Sequence, residues 1–293
     1  MKLGKQYTKD DDFKRKARLY QSTYRAEVLS VDCDEFGNML KEEDGKKGLN
    51  FYPEFGILDA VYERYGTRYN KQLYSNLLRS EHIPFNFFIP LSTDLELAKD
   101  VLNEFVSNTI KRINYITIEY APEAAEDYLN DKTSFDVYIE YVHSDNKVGA
   151  LGIEIKYTEQ SFPLKKGSKE HIDLKNPKSR YWLVTNSSGL FKAGILDKLI
   201  LDDYRQIWRN QLLGESIKQK GEINHFVSIT MYPKGNEHFS RVLPEYQSFL
   251  KVKNDLIGIT YENFIEALIK HSKGDAFDKW ITYLKERYLI DNK

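Results

Sequence analysis

Two acidic residues and a lysine in this sequence have the types and the spacing of a cation-dependent hydrolytic site. They are Asp136, Glu154 and Lys156, in the order Asp-x17-Glu-x-Lys. Hard divalent cations such as Mg2+ prefer oxygen ligands, and one or two carboxylates together with a substrate phosphate complete the coordination shell. A neighbouring lysine orients or deprotonates the attacking water and stabilises the developing negative charge. The expected chemistry is phosphate-ester hydrolysis with Mg2+ as the cofactor and Mn2+ as its substitute.

Two apolar strands joined by a short polar turn are predicted to position these residues. Residues 134–142 alternate between apolar and polar side chains, and residues 148–157 resume the alternation after the turn. Asp136 lies on one face of the first strand, and Glu154 and Lys156 share a face of the second. Charges inside a sheet are expensive to desolvate unless they are paired or bind a metal. Both carboxylates are therefore expected to face one notch between the strands.

An acidic residue two positions before a lysine is a common pattern by itself. It also begins at five other places, which are Asp12, Asp44, Asp145, Asp173 and Asp291. Only Glu154 lies in an apolar alternating strand that follows a second strand opening with an aspartate. The alternative interpretation is a buried or edge Glu–Lys pair that performs no chemistry, since structural ion-pair networks also place charges in such positions.

The residues around this set resemble a known family. Asp136 followed by Glu154-x-Lys156 is similar to the core of the PD-(D/E)XK nuclease superfamily, and the sequence around these residues resembles an uncharacterised prokaryotic branch of it. The segments that carry the resemblance are residues 131–136, 152–159 and 206–209. The resemblance covers roughly residues 69–268. One departure is Phe135, which stands where the family name has a proline but carries no catalytic atom.

The resemblance implies a fold and further metal ligands. It implies a restriction-endonuclease-like α/β domain over residues 69–293, with a mixed sheet flanked by helices, and residues 1–68 are expected to form a mainly helical extension packed on it. An early helix of the family often supplies another glutamate, for which Glu81 is the candidate, with a cap or salt bridge as its alternative role. The carbonyl of Ile155 is expected to join the two carboxylates. Glu119 is a further candidate, with a surface or ion-pair role as the alternative.

A later helix supplies a polar contact to the site in this family. Gln206 is its natural counterpart in the helix predicted over residues 204–216, and Arg209 is expected to contact a phosphate. The helical wheel leaves an alternative open, because Gln211 lies nearer the apolar stripe and is also a candidate for the inward-facing amide.

A basic segment without periodicity, residues 161–180, directly follows the second strand. Its position makes it the best candidate for tracking or gating a substrate phosphate, with Lys165 and Lys166 nearest to the strand. The alternative is an ordinary mobile and solvated loop.

The composition describes an ordered globular protein without excess positive charge. Of 293 residues, 41% are hydrophobic, and Lys+Arg 43 against Asp+Glu 44 leaves a net charge of -1. Attraction of phosphates must then be confined to one groove. The single cysteine, Cys33, excludes an internal disulfide framework and a Cys-rich zinc site, which fits a reducing cytoplasm. No signal-peptide core or membrane-length apolar run is present, so a cytoplasmic protein without a membrane partner is expected.

Other catalytic chemistries have little support. The chain contains no GxGxxG, GxxxxGK[ST], GxSxG or HExxH motif. The six histidines show no ligand-like spacing, so each is expected to be a surface residue or a satisfied core residue. They are His82, His143, His171, His225, His238 and His271.

Local sequence patterns also predict helices and strands outside the hairpin. Residues 69–80 have helical spacing, and Pro84 is expected to stop that helix before an apolar connection over residues 85–91. A buried strand is predicted over residues 225–232, and Thr260 is expected to cap a late helix.

Two hypotheses from different classes follow. The first is a metal-dependent nuclease, a DNA endonuclease or exonuclease of a defence or restriction type, with a homodimer as one candidate assembly. The second is a catalytically inactive module of the same fold that binds nucleic acid or serves an assembly, which the net charge motivates. The intact Asp-Glu-Lys set argues against the second, because a module freed from catalysis has no reason to retain buried charges.

Overall fold

A five-stranded sheet with helices on both faces forms the centre of the molecule in the computed structural model, which describes residues 2–290. The strands β1 to β5 are Ile110–Tyr120, Phe135–His143, Val148–Ile155, His225–Tyr232 and Leu256–Thr260. The helices α1 to α13 found in residues 2–290 are Asp12–Tyr24, Glu42–Lys46, Ile57–Tyr65, Lys71–Ser75, Ile83–Ser92, Leu95–Asn103, Lys169–Lys175, Arg180–Ser188, Leu196–Leu199, Asp202–Gln219, Glu237–Gln247, Tyr261–His271 and Asp275–Tyr288.

The strands lie side by side in sequence order. Strands β1, β2 and β3 form an antiparallel meander, whereas β4 and β5 add to it in parallel. Parallel neighbours need a long crossover, and here helices α7 to α10 connect β3 to β4 while α11 connects β4 to β5. The predicted mixed α/β sheet flanked by helices is confirmed. Val137 pairs with Ile153, so the next residues outward, Asp136 and Glu154, lie opposite each other at one end of the hairpin.

Each face of the sheet has its own apolar cluster. Val137 and Ile139 pack with helices α5, α6, α12 and α13 on one face. Tyr138 packs with α8, α10 and α11 on the other, which is the face that carries Asp136 and Glu154. Ala17 and Val61 of the N-terminal helical region belong to the first cluster. The predicted helical N-terminus is thus present and packs on the core, and the division at residue 68 stays a prediction.

The prediction for the region around Pro84 was wrong. Residues 69–80 contain only the short helix α4, and Pro84 lies at the beginning of α5 rather than after the end of a helix. Proline is tolerated there because the first N–H groups of a helix have no intrahelical partner. Eight of the ten residues of α5 are buried, so it is apolar on every side and has no periodicity to reveal it. Within residues 2–290, no helix is both long enough and apolar enough to cross a membrane.

Other element boundaries moved by a few residues. The strand at residues 225–232 and the cap of α12 by Thr260 are confirmed, since its hydroxyl accepts the Asn263 N–H at 3.2 Å. Helix α10 begins at Asp202, earlier than predicted. The basic segment is only partly a loop, because it contains α7, whose N-terminus is capped by Ser168.

Helix α10 approaches the sheet closely through Gly214. A Cβ atom at this position would lie 2.1 Å from the Phe226 ring of β4. The absence of a side chain at Gly214 therefore sets the height of α10 above the sheet, and with it the position of every α10 side chain that points toward β3.

We expect Gly214→Ala to destabilise the protein, although alanine is the better helix former. Overpacking a core costs about 1–3 kcal/mol, whereas the gain in helix propensity is about 1 kcal/mol. In a Phe226→Leu background the same change should be neutral or stabilising, because the obstructing ring atoms are gone. Urea unfolding of the four proteins measures the coupling. Additive effects of the two substitutions would contradict the close approach.

Candidate active site

Three carboxylates form a row across adjacent strands. Asp136 and Glu154 are opposite each other on β2 and β3, and the pairs on either side of Glu119 place it opposite Asp136 on β1. Directly opposed residues of antiparallel strands have Cβ atoms about 4.5–5.5 Å apart. Glu119 has a φ of 56°, a left-handed conformation that is strained for a residue with a side chain. The backbone therefore bends at the residue that adds the third carboxylate.

The Lys156 ammonium group closes a hydrogen-bonded ring with two other side chains. Lys156 Nζ donates to Glu154 Oε1 at 2.6 Å and to Gln206 Oε1 at 2.9 Å, and Gln206 Nε2 donates to the same Glu154 oxygen at 2.5 Å. Asn210 Nδ2 donates to the other oxygen, Glu154 Oε2, at 2.7 Å. Gln206 and Asn210 are four residues apart on α10 and so lie on one face of that helix. Both oxygens of Glu154 are fixed by α10.

Asp136 carries the strongest electrostatic penalty of the row. Burial among protein atoms raises the pKa of its carboxyl well above the ordinary value of 3.8, and the nearby charges of Glu154 and Glu119 raise it further. The attraction of Lys156 and a hydrogen bond from the Ile155 N–H to Oδ2 at 2.6 Å oppose this but do not outweigh it. Like charges that converge in a low dielectric disfavour joint ionisation.

The pKa values of two neighbours of Asp136, Glu119 and Lys156, are also raised. Burial raises the pKa of Glu119, and the charges of Glu154 and Glu81 raise it further, against a hydrogen bond with Tyr65 that lowers it. Burial by itself lowers the pKa of Lys156, but the attraction of the carboxylates raises it above its ordinary value. Lys156 is therefore an ammonium ion at neutral pH.

The donor set fits a hard divalent cation. Carboxylate oxygens from Asp136 and Glu154, with Glu119 beside them, are the ligand type that Mg2+ and Mn2+ prefer. A bound cation also offsets the burial and the repulsion that raise the pKa of Asp136. The carboxylates present are therefore more stable with a bound divalent cation than without one.

The predicted glutamate Glu81 lies at the rim of this row. It precedes α5 in a turn and forms an ion pair with Arg79 at 2.6 Å. Its charge is close enough to raise the pKa of Glu119. The turn is fastened by Glu159, whose carboxylate accepts the Ser80 N–H at 2.9 Å. Glu119 is thus the third carboxylate of the row, and a role of Glu81 as a ligand stays a prediction.

Of the two glutamines considered for the inward-facing amide, Gln206 is the one at the site. Gln211 points elsewhere, because its Nε2 donates to the Asp255 carbonyl at 3.2 Å and its Oε1 accepts from Tyr246 Oη at 2.9 Å. The sequence reasoning missed Asn210. Its position four residues after Gln206 was the signal that could have found it, since i and i+4 share a helix face.

Of the residues predicted to contact phosphate, Arg209 is ion-paired within the protein, whereas Lys165 and Lys166 are exposed. Arg209 Nη2 donates to Thr133 Oγ1 at 2.7 Å and forms ion pairs with Asp131 at 3.2 Å and Glu170 at 3.3 Å. Arg209 therefore holds the loop before β2 and α7 against α10. Lys165 and Lys166 are exposed, and Lys165 borders an open cavity of about 290 Å³ that also includes Gln206.

A narrow cavity leads to Lys156 from the side of the basic segment. It is lined by Glu154, Lys156, Phe162 and Gln206 among others, and its volume is about 10 Å³. That is close to the room that one water molecule needs. The Phe162 ring covers the Lys156 ammonium group at 5.2 Å. The inner part of the site therefore has room for a water but not for a nucleotide.

A comparison with known protein families shows which family the chain belongs to. The family model of the PD-(D/E)XK nuclease superfamily matches residues 8–290. The chain belongs to the PD-(D/E)XK nuclease superfamily. No curated protein and no solved structure matches the chain. The matched span begins well before residue 69, so the matching family model includes the N-terminal helical region. PD-(D/E)XK nucleases generally use divalent metal ions.

The raised pKa of Asp136 predicts how its substitution changes stability with pH. The folded state holds this proton more tightly than the unfolded state, so stability is lost as pH rises from the unfolded pKa through the folded one. Asp136→Asn keeps an acceptor for the Ile155 N–H but cannot ionise. We expect its stability relative to wild type to be smallest below about pH 4 and to increase toward neutral pH.

Urea unfolding in the presence of a chelator over this pH range is the measurement. The control is Asp12→Asn on α1, which removes an exposed carboxylate paired with Arg15 rather than a buried one. Destabilisation by several kcal/mol at every pH, as when a buried ion pair is broken, would mean that Asp136 is a structural partner of Lys156.

Proposed function

We propose that this PD-(D/E)XK protein is a divalent-cation-dependent phosphodiesterase that cleaves DNA in the cytoplasm of a prokaryote, in a defence or restriction role. The observation that carries the proposal is the row of Glu119, Asp136 and Glu154 beside a protonated Lys156. A structural ion pair needs one carboxylate for the lysine, and here three occupy neighbouring positions on adjacent strands. The choice of DNA rests on the resemblance to restriction endonucleases.

Asp136 and Glu154 are the residues that we propose to hold the cation, together with the Ile155 carbonyl. Glu119 lies beside them, and Glu81 is the outer candidate. The cation is proposed to be Mg2+, with Mn2+ as a substitute, because the donors are hard oxygens. When bound, such an ion polarises the scissile phosphate and lowers the pKa of a water molecule.

Lys156 has an electrostatic role in this proposal rather than a role as a base. Its ammonium group is protonated, so it donates hydrogen bonds and has no lone pair to accept a proton. We infer that it orients the attacking water and stabilises the charge that develops on the phosphate. Gln206 and Asn210 act as positioning residues, because they hold Lys156 and Glu154 through α10.

The basic segment after β3 is proposed to guide the substrate backbone. Lys165 and Lys166 are both exposed, and Lys165 borders the cavity that includes Gln206. They place two adjacent positive charges beside the site in a chain whose net charge is -1. Phosphate contacts of this kind position a nucleic acid without reading its sequence. A homodimer stays a prediction, which the molar mass in solution tests.

We expect cleavage of supercoiled plasmid or linear DNA in Mg2+ or Mn2+, and much slower cleavage of RNA. Glu154→Gln and Lys156→Met should each lower the rate by at least about 100-fold, as when a preorganised electrostatic contact is removed. The matched control is Glu215→Gln, which changes another buried glutamate that pairs with a lysine, but on the far part of α10. It should keep the wild-type rate.

Gel assays of the purified proteins, with folding checked by circular dichroism, measure these rates. Binding of DNA without hydrolysis, unaffected by Lys156→Met, would favour the inactive binding module instead. Equal rates in wild type and Glu154→Gln would remove the proposed site from the reaction.

Divalent cations should stabilise the wild-type protein independently of any cleavage. An ion that binds only the native state contributes about 2.7 kcal/mol when it is present at 100 times its Kd. Mn2+ should therefore raise the melting temperature of wild type and of Glu215→Gln, and should leave Asp136→Asn unchanged. Differential scanning fluorimetry in a chelator-treated buffer measures this. An equal rise in Asp136→Asn would place the bound ion elsewhere.

A further inference from the structure

A second group of metal-ligating side chains lies at the opposite end of the sheet from the carboxylate row. His143 is the last residue of β2, Asp145 is in the following turn, and His225 is the first residue of β4. Asp136 and His143 are seven positions apart on one strand, which corresponds to about 23 Å. The two groups cannot share one ion.

The expectation that each histidine is a surface or satisfied core residue stays a prediction, but the structure brings His143 and His225 together. His143 and His225 are far apart in the sequence, so no local spacing reveals them. The parallel register pairs His225 with Gly149 of β3, just after the turn that carries Asp145. The sheet therefore brings the start of β4 beside the turn between β2 and β3.

The three side chains face one another at near-ligating distances. His143 Nδ1 lies 2.9 Å from Asp145 Oδ1, and His225 Nε2 lies 2.9 Å from Asp145 Oδ2. The imidazole rings are stacked, with centroids 3.9 Å apart and planes inclined by 21°. Ligand atoms around a tetrahedral Zn2+ are roughly 3.3 Å apart, given bonds of about 2.0–2.1 Å. The two nitrogen–oxygen distances are shorter than this by a few tenths of an ångström, and all three ligand atoms lie within 4.8 Å of one another.

Each ring nitrogen that faces Asp145 needs either its own N–H proton or a cation between it and the carboxylate oxygen. A carboxylate accepts but cannot donate, and a ring nitrogen without a proton only accepts. His143 Nδ1 already lies 3.2 Å from the backbone N–H of Asp145, which supplies a donor from another direction. Either a proton or a cation must therefore lie between each ring nitrogen and the carboxylate. Two imidazoles and one carboxylate are a donor set for Zn2+ and not for Mg2+.

The group is accessible from solvent. The side chains of His143, Asp145 and His225 are 18%, 39% and 34% exposed, and both rings border an open cavity of about 290 Å³. Three protein ligands and an open side leave a coordination position for water. Lys147 is a cation beside the group, and its Nζ lies 4.0 Å from Asp145 Oδ2 on a 60% exposed side chain.

We propose that His143, Asp145 and His225 form a second cation site that binds Zn2+ or another divalent ion with a preference for imidazole. The ion would tie the turn between β2 and β3 to the start of β4. This site is separate from the proposed hydrolytic centre and does not depend on its activity.

The test uses the chelator-treated full chain and Co2+ as a spectroscopic probe for Zn2+. In excess Mg2+, wild type should develop a visible Co2+ absorption that saturates at one equivalent and disappears when Zn2+ is added. Glu154→Gln should behave in the same way, which separates this site from the carboxylate row. Removing one ligand should weaken Co2+ binding by more than about 100-fold, since even contacts to a ligand from its surroundings contribute 10–100-fold.

The variants are His225→Asn and Asp145→Asn, with His271→Ala as the matched control. His271 also contacts a carboxylate, Glu104, at 2.8 Å but has no second imidazole beside it. The His271→Ala variant should bind Co2+ as tightly as wild type does. If His225→Asn fails to fold, Asp145→Asn, which keeps its size, answers the same question.

Two results would overturn the proposal. One is wild type without a saturable Co2+ absorption, which would mean that protons fill the network. The other is an absorption that persists in Asp145→Asn and His225→Asn, which would place the ion elsewhere. A Zn2+-induced rise in melting temperature that is present in wild type and absent in Asp145→Asn would support the proposal without any spectroscopic probe.

Discussion

The structure depends on the convergence of three carboxylates at one end of the central hairpin. Burial, together with the nearby charge of Glu154, raises the pKa of Asp136 and of Glu119, so ionising these carboxyl groups costs free energy in the folded protein. The protonated Lys156 offsets part of the cost by pairing with Glu154. Breaking such a pair leaves an uncompensated buried charge, which costs far more than a surface pair contributes. The surroundings must therefore hold the lysine and the carboxylates in place.

Helix α10 holds the site from one side. Its close approach to β4 at Gly214 lets Gln206 and Asn210 reach both oxygens of Glu154. One turn away, Arg209 connects the same helix to the loop before β2 through Thr133. The polar residues of α10 thus fix the two strands that carry the charges, and a shift of the helix would separate all of these contacts together.

Segments distant in sequence hold the site from the other side, where the chain leaves β3. The carbonyl of Lys156 accepts a hydrogen bond from Tyr261 Oη at 2.6 Å. The side chain of Gln21 donates to Tyr157 Oη at 2.8 Å and to the Arg287 carbonyl at 2.7 Å. Helices α1, α12 and α13 therefore meet around the residues that follow Glu154. This is a physical reason for a family match that extends from residue 8 to residue 290.

The sequence by itself determined the hairpin and the mixed sheet and predicted Asp136, Glu154 and Lys156 as candidate site residues, because strand alternation and the cost of buried charge are local properties. It could not distinguish Gln206 from Gln211, since both lie on plausible faces of one helix until its rotation against the sheet is known. Helix α5 was hidden because a helix that is buried on every side has no period.

Only the tertiary structure decided which residues meet across strands. Glu119 joins the carboxylate row because the register of β1 against β2 places it there, and a shift of one residue would turn it to the other face. His143 and His225 approach each other because β4 is parallel to β3. Such contacts depend on pairing between segments far apart in the chain, and no local spacing encodes them.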